Sequence, residues 1–132
     1  MTQLKGVMVG AGYFSRFHLD AWSRLDDVNL AAICDTNVSA ASAAADQHGV
    51  AKVYDDFSRM LDVEKPDFVD IVTRPDSHLS LVHQAAQRGV AVICQKPLTP
   101  SYEESCQLVD AAQQAGVPLM VHENFRFQPW YR

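Results

Sequence analysis

Two short stretches of this chain hold residue types whose order could do chemistry. Near the start, Gly10, Ala11, Gly12, Tyr13, Phe14 and Ser15 spell G-x-G-x-x-S. In a phosphate-binding turn, Gly10 would permit the tight bend and Gly12 would let the backbone approach a pyrophosphate at a helix N-terminus. The small Ser15 would keep the close helix-to-strand packing that a third glycine usually provides. A plain tight turn is the alternative. The second stretch, VAVICQKPLTP, is an apolar run that ends abruptly on Gln95, Lys96 and Pro97. A lysine at the tip of a buried strand either meets an anionic or carbonyl ligand or simply reaches solvent.

Other candidates fall at comparable places. Asp35, in CDTN, lies about 23 residues beyond Gly12, near the spacing at which a dinucleotide fingerprint carries an acidic residue. Its carboxylate could accept both ribose hydroxyls and repel a 2′-phosphate, or it could serve only the turn. Thr36 and Asn37 beside it offer no arginine for that phosphate, so NAD is favoured over NADP. In TRPDSH, Thr73 and Arg74 close another apolar run, and Arg74 could supply local positive charge or remain a solvated loop residue. His78 then falls in the first turn of a helix, where it either approaches a cofactor's phosphates or ribose or is an ordinary polar residue. The remaining histidines have no Cys/His partners at metal-ligand spacing, so no metal site is expected.

The elements that must position these residues follow from periodicity. Branched apolar runs at KGVMVG, VNLAAICD, DFVDIVT, VAVICQ and VPLMVH alternate with segments of helical spacing. Helices are predicted at 38–48, 56–63, 77–88 and 101–115, with a short strand at 52–54. After the first strand, Phe14, Phe17, Ala21, Trp22 and Leu25 recur at helical steps, which predicts a face packed on a sheet. Gly49, Gly89 and Gly116 each stand between a predicted helix and a valine, as a C-cap feeding a strand would. Ser101 with Glu104 fits a capping box, and Asp76 or Ser77 is the expected cap of the helix that carries Leu79. Strand–helix–strand repeats imply right-handed crossovers, and hence a doubly wound parallel α/β sheet with its ligand crevice at the carboxyl ends of the strands.

The totals set outer limits. The 132 residues suffice for one domain, and 48% hydrophobic with 20% charged residues is an ordinary globular composition. A net charge of −5, with no run among the 11 Lys and Arg, argues against nucleic acid. No apolar run is long enough to cross a bilayer and no signal peptide is apparent, so a cytoplasmic protein is expected. Cys34 and Cys94, each closing an apolar run, read as reduced core thiols.

Taken together, GVMVGAGYFSRFH, AAICDTN, DIVTRPDSH, VAVICQKPL and VHENFRFQPWYR resemble the glucose-fructose oxidoreductase, inositol dehydrogenase and MocA family, in the right order over nearly the whole chain. The resemblance implies an N-terminal Rossmann domain followed by a larger α/β substrate domain. It also implies hydride transfer between a nicotinamide cofactor and a hydroxyl-bearing carbon of a sugar, polyol or derivative. The family's Glu-Lys-Pro signature falls on Gln95-Lys96-Pro97, which makes Lys96 the expected catalytic residue beside nicotinamide and substrate hydroxyl. There it would oppose negative charge on the substrate oxygen or join a proton relay. Gln95 departs from the usual glutamate, keeping the length and losing the charge.

On the same resemblance, residues 1–123 are expected to form the cofactor domain. Residues 124–132 are expected to lead toward a substrate domain absent from this chain, with Asn124 near the nicotinamide end of the cleft. The parent protein is expected to be a homo-oligomer acting on a small molecule, with neither nucleic acid nor membrane as partner. A noncatalytic NAD-binding or redox-sensing module, and a degenerate domain with a structural role, are the competing readings.

Overall fold

The computed structural model describes residues 2–131. Six strands, β1 (Leu4–Val9), β2 (Val28–Cys34), β3 (Lys52–Tyr54), β4 (Phe68–Ile71), β5 (Ala91–Gln95) and β6 (Leu119–His122), form one sheet in the order β3-β2-β1-β4-β5-β6. Every neighbouring pair is parallel. Five helices connect them: α1 (Ser15–Trp22), α2 (Val38–His48), α3 (Phe57–Glu64), α4 (Pro75–Gln87) and α5 (Tyr102–Ala115). Two short 3₁₀ turns, Asn124–Phe127 and Pro129–Tyr131, follow β6. This is the expected doubly wound parallel fold. The strand order reverses between β1 and β4, so their carboxyl ends frame the crevice.

Alternation along the strands divides the core in two. Val7, Val9, Val69, Ile71, Val92 and Cys94 face α3, α4 and α5 with Met60, Val82 and Leu108. Met8 and Ile33 face the other way, against Leu19, Ala41 and Ala45 of α1 and α2. The helix ends follow local chemistry. Asn37 accepts the Ala40 N–H at 3.2 Å, Asp56 accepts the Arg59 N–H at 2.7 Å, and the Ser101 hydroxyl accepts the Glu104 N–H at 3.2 Å while donating to the Glu104 carboxylate. Gly49, Gly89 and Gly116 all take positive φ just past helices, as expected.

Two local expectations are corrected. α4 begins at Pro75, with Arg74 as its N-cap, rather than at Asp76 or Ser77. Proline lacks the N–H that the first turn leaves unpaired and has its φ preset for a helix, so it starts the helix instead of merely ending the strand. In α1, the buried residues are Ser15, His18 and Leu19, while Trp22 packs half-buried on Phe68 of β4, as its spacing predicts. Phe14, Phe17 and Leu25 remain 40%, 48% and 49% exposed. The reason lies in β4, where the fully buried Asp70 demands polar partners, so α1 turns His18 and Trp22 toward it.

At the amino edge of the sheet, Glu64 is 3% exposed and is held by three donors. Lys5 and Lys52 each place Nζ 2.9 Å from a carboxylate oxygen, and the Tyr54 hydroxyl donates to the same group. Burial pushes the Glu64 carboxyl up, but hydrogen bonds from Tyr54, Lys5 and Lys52 outweigh it and bring the pKa down to about 2.

Candidate functional site

Beyond the carboxyl ends of β1, β2 and β4 lies a cleft of about 550 Å³, walled by Gly10, Gly12, Tyr13, Phe14, Asp35, Thr36, Thr73, Arg74 and Ser77 among others. Its two glycines are constrained differently. Gly10 has φ +105°, and a Cβ there would stand 2.1 Å from the Val72 carbonyl oxygen, so the turn out of β1 can be made only without a side chain. Around Gly12 a Cβ would meet nothing within 4 Å. The fold therefore does not need glycine at 12, whereas a ligand approaching the backbone there would. Ser15 is buried and its hydroxyl donates to the Gly12 carbonyl at 2.6 Å, tying the loop to the first turn of α1.

Asp35 reaches back across the switch point. One carboxylate oxygen accepts the Ala11 N–H at 2.7 Å and the other accepts the Asn37 N–H at 2.8 Å. It thus fixes the glycine loop as well as facing the cleft, and each oxygen keeps a lone-pair direction for a further donor. Asp55, which the sequence reading did not single out, lines the same end. Two carboxylates there favour hydroxyl donors over a phosphate. Burial, and then Asp35, Asp56 and Asp55, push the neighbouring Cys34 thiol up to about 12.

Arg74 and Thr73 line the opposite wall, and the Thr73 hydroxyl is 2.6 Å from that of Ser77. His78 lies elsewhere than at the cleft surface. It is fully buried, with Nδ1 2.8 Å from the Leu98 carbonyl oxygen and Nε2 3.1 Å from that of Thr73. Each ring nitrogen faces a carbonyl oxygen inside the protein, so the ring offers no atom to a ligand in the cleft. It joins the loop after β4 to the loop after β5, a task that burial at position 78 imposes and its helical register alone did not reveal.

Gln95, Lys96 and Asn124 gather at the carboxyl ends of β5 and β6, apart from the glycine loop. The Lys96–Pro97 peptide is cis. Lys96 Nζ stands 5.0 Å above the Phe125 ring, a cation–π distance. Gln95 is 7% exposed and turns inward: its Oε1 accepts the Lys96 N–H at 2.7 Å and its Nε2 lies 3.1 Å from His18 Nε2. His18 Nδ1 is 2.7 Å from Asp70 Oδ2, which also accepts the Trp22 Nε1–H at 2.7 Å. Asn124 lines a second, apolar cavity of about 610 Å³ with Phe14, Phe17, His18, Trp22 and His122. Burial, and then His18, lower the pKa of His122, whose ring packs edge-on to His18 at 4.6 Å.

Sequence reading missed the tasks of His18 and Asp70, and placed Trp22 on the sheet-packed face without its hydrogen bond to Asp70. The available signal was the aspartate within FVDIV, since a carboxylate in the middle of a buried strand must find donors.

A family model described as an oxidoreductase family with an NAD-binding Rossmann fold matches residues 4–123. Among curated relatives, a D-apiose dehydrogenase from Paraburkholderia graminis is 48% identical over 98% of this chain and 34% of its own length. A D-glucoside 3-dehydrogenase from Escherichia coli is 31% identical over 96% of the chain and 36% of its own. Of solved structures, an oxidoreductase from Agrobacterium radiobacter in complex with NAD+, L-tartaric acid and magnesium superposes with a TM-score of 0.93 at 39% identity, covering 96% of this chain and 37% of that one. Scyllo-inositol dehydrogenase from Lactobacillus casei with bound NAD(H) and scyllo-inositol gives 0.90 at 25% identity, covering 99% and 39%. The chain spans little more than a third of the length of these relatives.

Proposed function

The chain belongs to the oxidoreductase family with an NAD-binding Rossmann fold, and from that premise we propose that it is the cofactor-binding part of an NAD-dependent dehydrogenase. Its substrate would be a small sugar, polyol or derivative. The observation that carries this reading is the pair of glycines at the switch point, one closed by the Val72 carbonyl and one open to a ligand. Backbone N–H groups of the Gly10–Ser15 loop would hold the pyrophosphate, helped by Thr73 and Arg74. Asp35, with Thr36 beside it and Asp55 nearby, would accept from the ribose hydroxyls and disfavour a 2′-phosphate. His78 would act through the two loops it joins.

The nicotinamide ring, when bound, supplies the hydride acceptor or donor. Lys96 would hold a proton at Nζ beside the substrate oxygen and oppose the negative charge that develops there. Asn124 offers a buried Oδ1 that accepts no hydrogen bond from the described residues, which suits a donor on cofactor or substrate. Residues 1–123 would be the cofactor domain and 124–132 the start of a connection to a substrate domain. That placement is supported by the family match ending at residue 123 and by the change from strand to 3₁₀ turns at Asn124. The parent protein would be a cytoplasmic homo-oligomer with no nucleic acid or membrane partner. The reducing compartment suits three free cysteines, and none of the described helices is long and apolar enough to cross a membrane.

The test is calorimetric titration of the 132-residue chain with NADH and with NADPH, repeated on Asp35→Ala and Lys96→Ala. Saturable NADH binding, tighter than NADPH and weakened by loss of Asp35, is the expected outcome. Absence of binding to either nucleotide by the folded chain would overturn the reading. A noncatalytic NAD-binding module is the second reading, supported by the exposure of Phe125, Phe127, Trp130 and Tyr131, which would suit a protein partner. Hydride transfer by the full-length parent that is lost in Lys96→Ala would exclude it.

A further inference from the structure

The buried groups behind Lys96 form a chain in which every proton has one consistent place. The Lys96 backbone N–H can only donate, so the atom of Gln95 that faces it at 2.7 Å is the oxygen. The Gln95 amide nitrogen, which can only donate, is thereby turned toward His18 Nε2 at 3.1 Å. That nitrogen must accept, which leaves the imidazole proton on Nδ1, facing Asp70 Oδ2 at 2.7 Å. Asp70 is fully buried and His18 is 5% exposed, so water does not compete for these sites. The same Asp70 oxygen takes the Trp22 Nε1–H, which fixes the carboxylate from a second direction.

We propose that Asp70, His18 and Gln95 are positioning residues for Lys96. They orient the tip of β5 through a proton-ordered chain that holds His18 neutral, in its Nδ1–H form. The glutamine is what sets the charge. A carboxylate in its place would accept from the Lys96 N–H and from His18 together, and His18 would then need protons on both ring nitrogens to serve two carboxylates at once. Gln95 removes that need. The segment bearing the lysine is held without an imidazolium 4.6 Å, centroid to centroid, from His122, a second ring that could also charge. A charge on His18 would change the field behind the Lys96 ammonium.

The inference rests on the role given to Lys96 only for its functional meaning, because its test needs no nucleotide and can fail independently of the NADH titration. Long-range proton–nitrogen correlation spectra of the ¹⁵N-labelled chain at neutral pH report which His18 ring nitrogens carry protons. The expected spectrum has a protonated Nδ1 and an unprotonated Nε2. In Gln95→Glu both nitrogens of His18 should become protonated, while the Lys96 amide stays protected from exchange. In Gln95→Leu, which removes the acceptor, Lys96 amide exchange should quicken roughly tenfold or more, the factor that one net hydrogen bond of about 1.4 kcal/mol represents, with that of Ile33 in β2 as the unaffected reference. A wild-type His18 carrying its proton on Nε2, or on both nitrogens, would overturn the proposal even if neither variant folds. So would a Gln95→Glu chain whose His18 signature is unchanged.

Discussion

Replacing each of the two cleft glycines by alanine separates what the fold requires from what a nucleotide requires. At Gly10 the added methyl would stand 2.1 Å from a backbone oxygen and the residue would sit at φ +105°, so β4, the turn or both must move. Overpacking of roughly 1–3 kcal/mol, with another ~1–2 kcal/mol for the left-handed backbone, gives a loss of about 2–5 kcal/mol. For a domain of this size that lowers Tm by roughly 8–20 °C. At Gly12 the methyl meets nothing within 4 Å and the backbone is not left-handed. Alanine there should leave stability within ~0.5 kcal/mol of wild type, or raise it slightly by restricting the unfolded chain. Its effect should appear only with ligand, because on the proposed reading the methyl would occupy the approach of a pyrophosphate oxygen to the loop. Loss of one hydrogen bond to a charged group is worth ~1.5–3 kcal/mol, or roughly a 10- to 150-fold weaker Kd for NADH. Thermal denaturation and calorimetric titration of the two variants give the comparison. A Gly12→Ala chain that melts like Gly10→Ala, or that binds NADH as tightly as wild type, would refute the assignment of Gly12 to the phosphate.

Asp35→Ala removes an acceptor from both Ala11 and Asn37, so it should cost about 1–2 kcal/mol in denaturant unfolding. It should also narrow the preference for NADH over NADPH in paired titrations. Glu64 has its carboxyl held at about 2 against an ordinary value of 4.5, so its contribution is complete above pH ~4.5 and fades as the pH falls toward 2. Glu64→Gln should cost at most ~3 kcal/mol at pH 7, nearer 1–2 given the partly exposed lysines. The variant should converge on wild type near pH 2 in an unfolding series, and a constant gap from pH 7 to pH 2 would count against the cluster. Burial, joined by Asp35 at one site and Asp70 at the other, pushes the Cys34 and Cys94 thiols up to about 12. Iodoacetamide should therefore modify neither until the chain unfolds, as peptide mass mapping would show.

How much of this was legible in the sequence depends on whether a residue's task is local. The strands, the left-handed glycines past three helices (C-caps at Gly49 and Gly116, one residue beyond the Arg88 cap at Gly89) and the G-x-G turn were readable because each answers to its own few neighbours: Gly10 must bend wherever β1 ends, and Ser101 caps whatever helix follows it. His78 and His18 were not readable in that way. Their spacing places both on helices, but what each does is set by partners 20 and 52 residues distant, Leu98 and Asp70. The aromatic spacing of α1 misled for the same reason. Phe14, Phe17 and Leu25 have the period of a buried stripe, and in isolation burying them is the favourable choice. Burial of Asp70 works against it, since a carboxyl group left without partners in the core costs more than half-exposed rings, and α1 presents His18 and Trp22 to that carboxyl group. The consequence reaches the site. With His18 inside, the end of β5 has a partner for Gln95, and Gln95 in turn has a fixed oxygen for the Lys96 N–H. One acidic residue in a strand thus decides which face of the first helix is buried and how the lysine at the far strand tip is held.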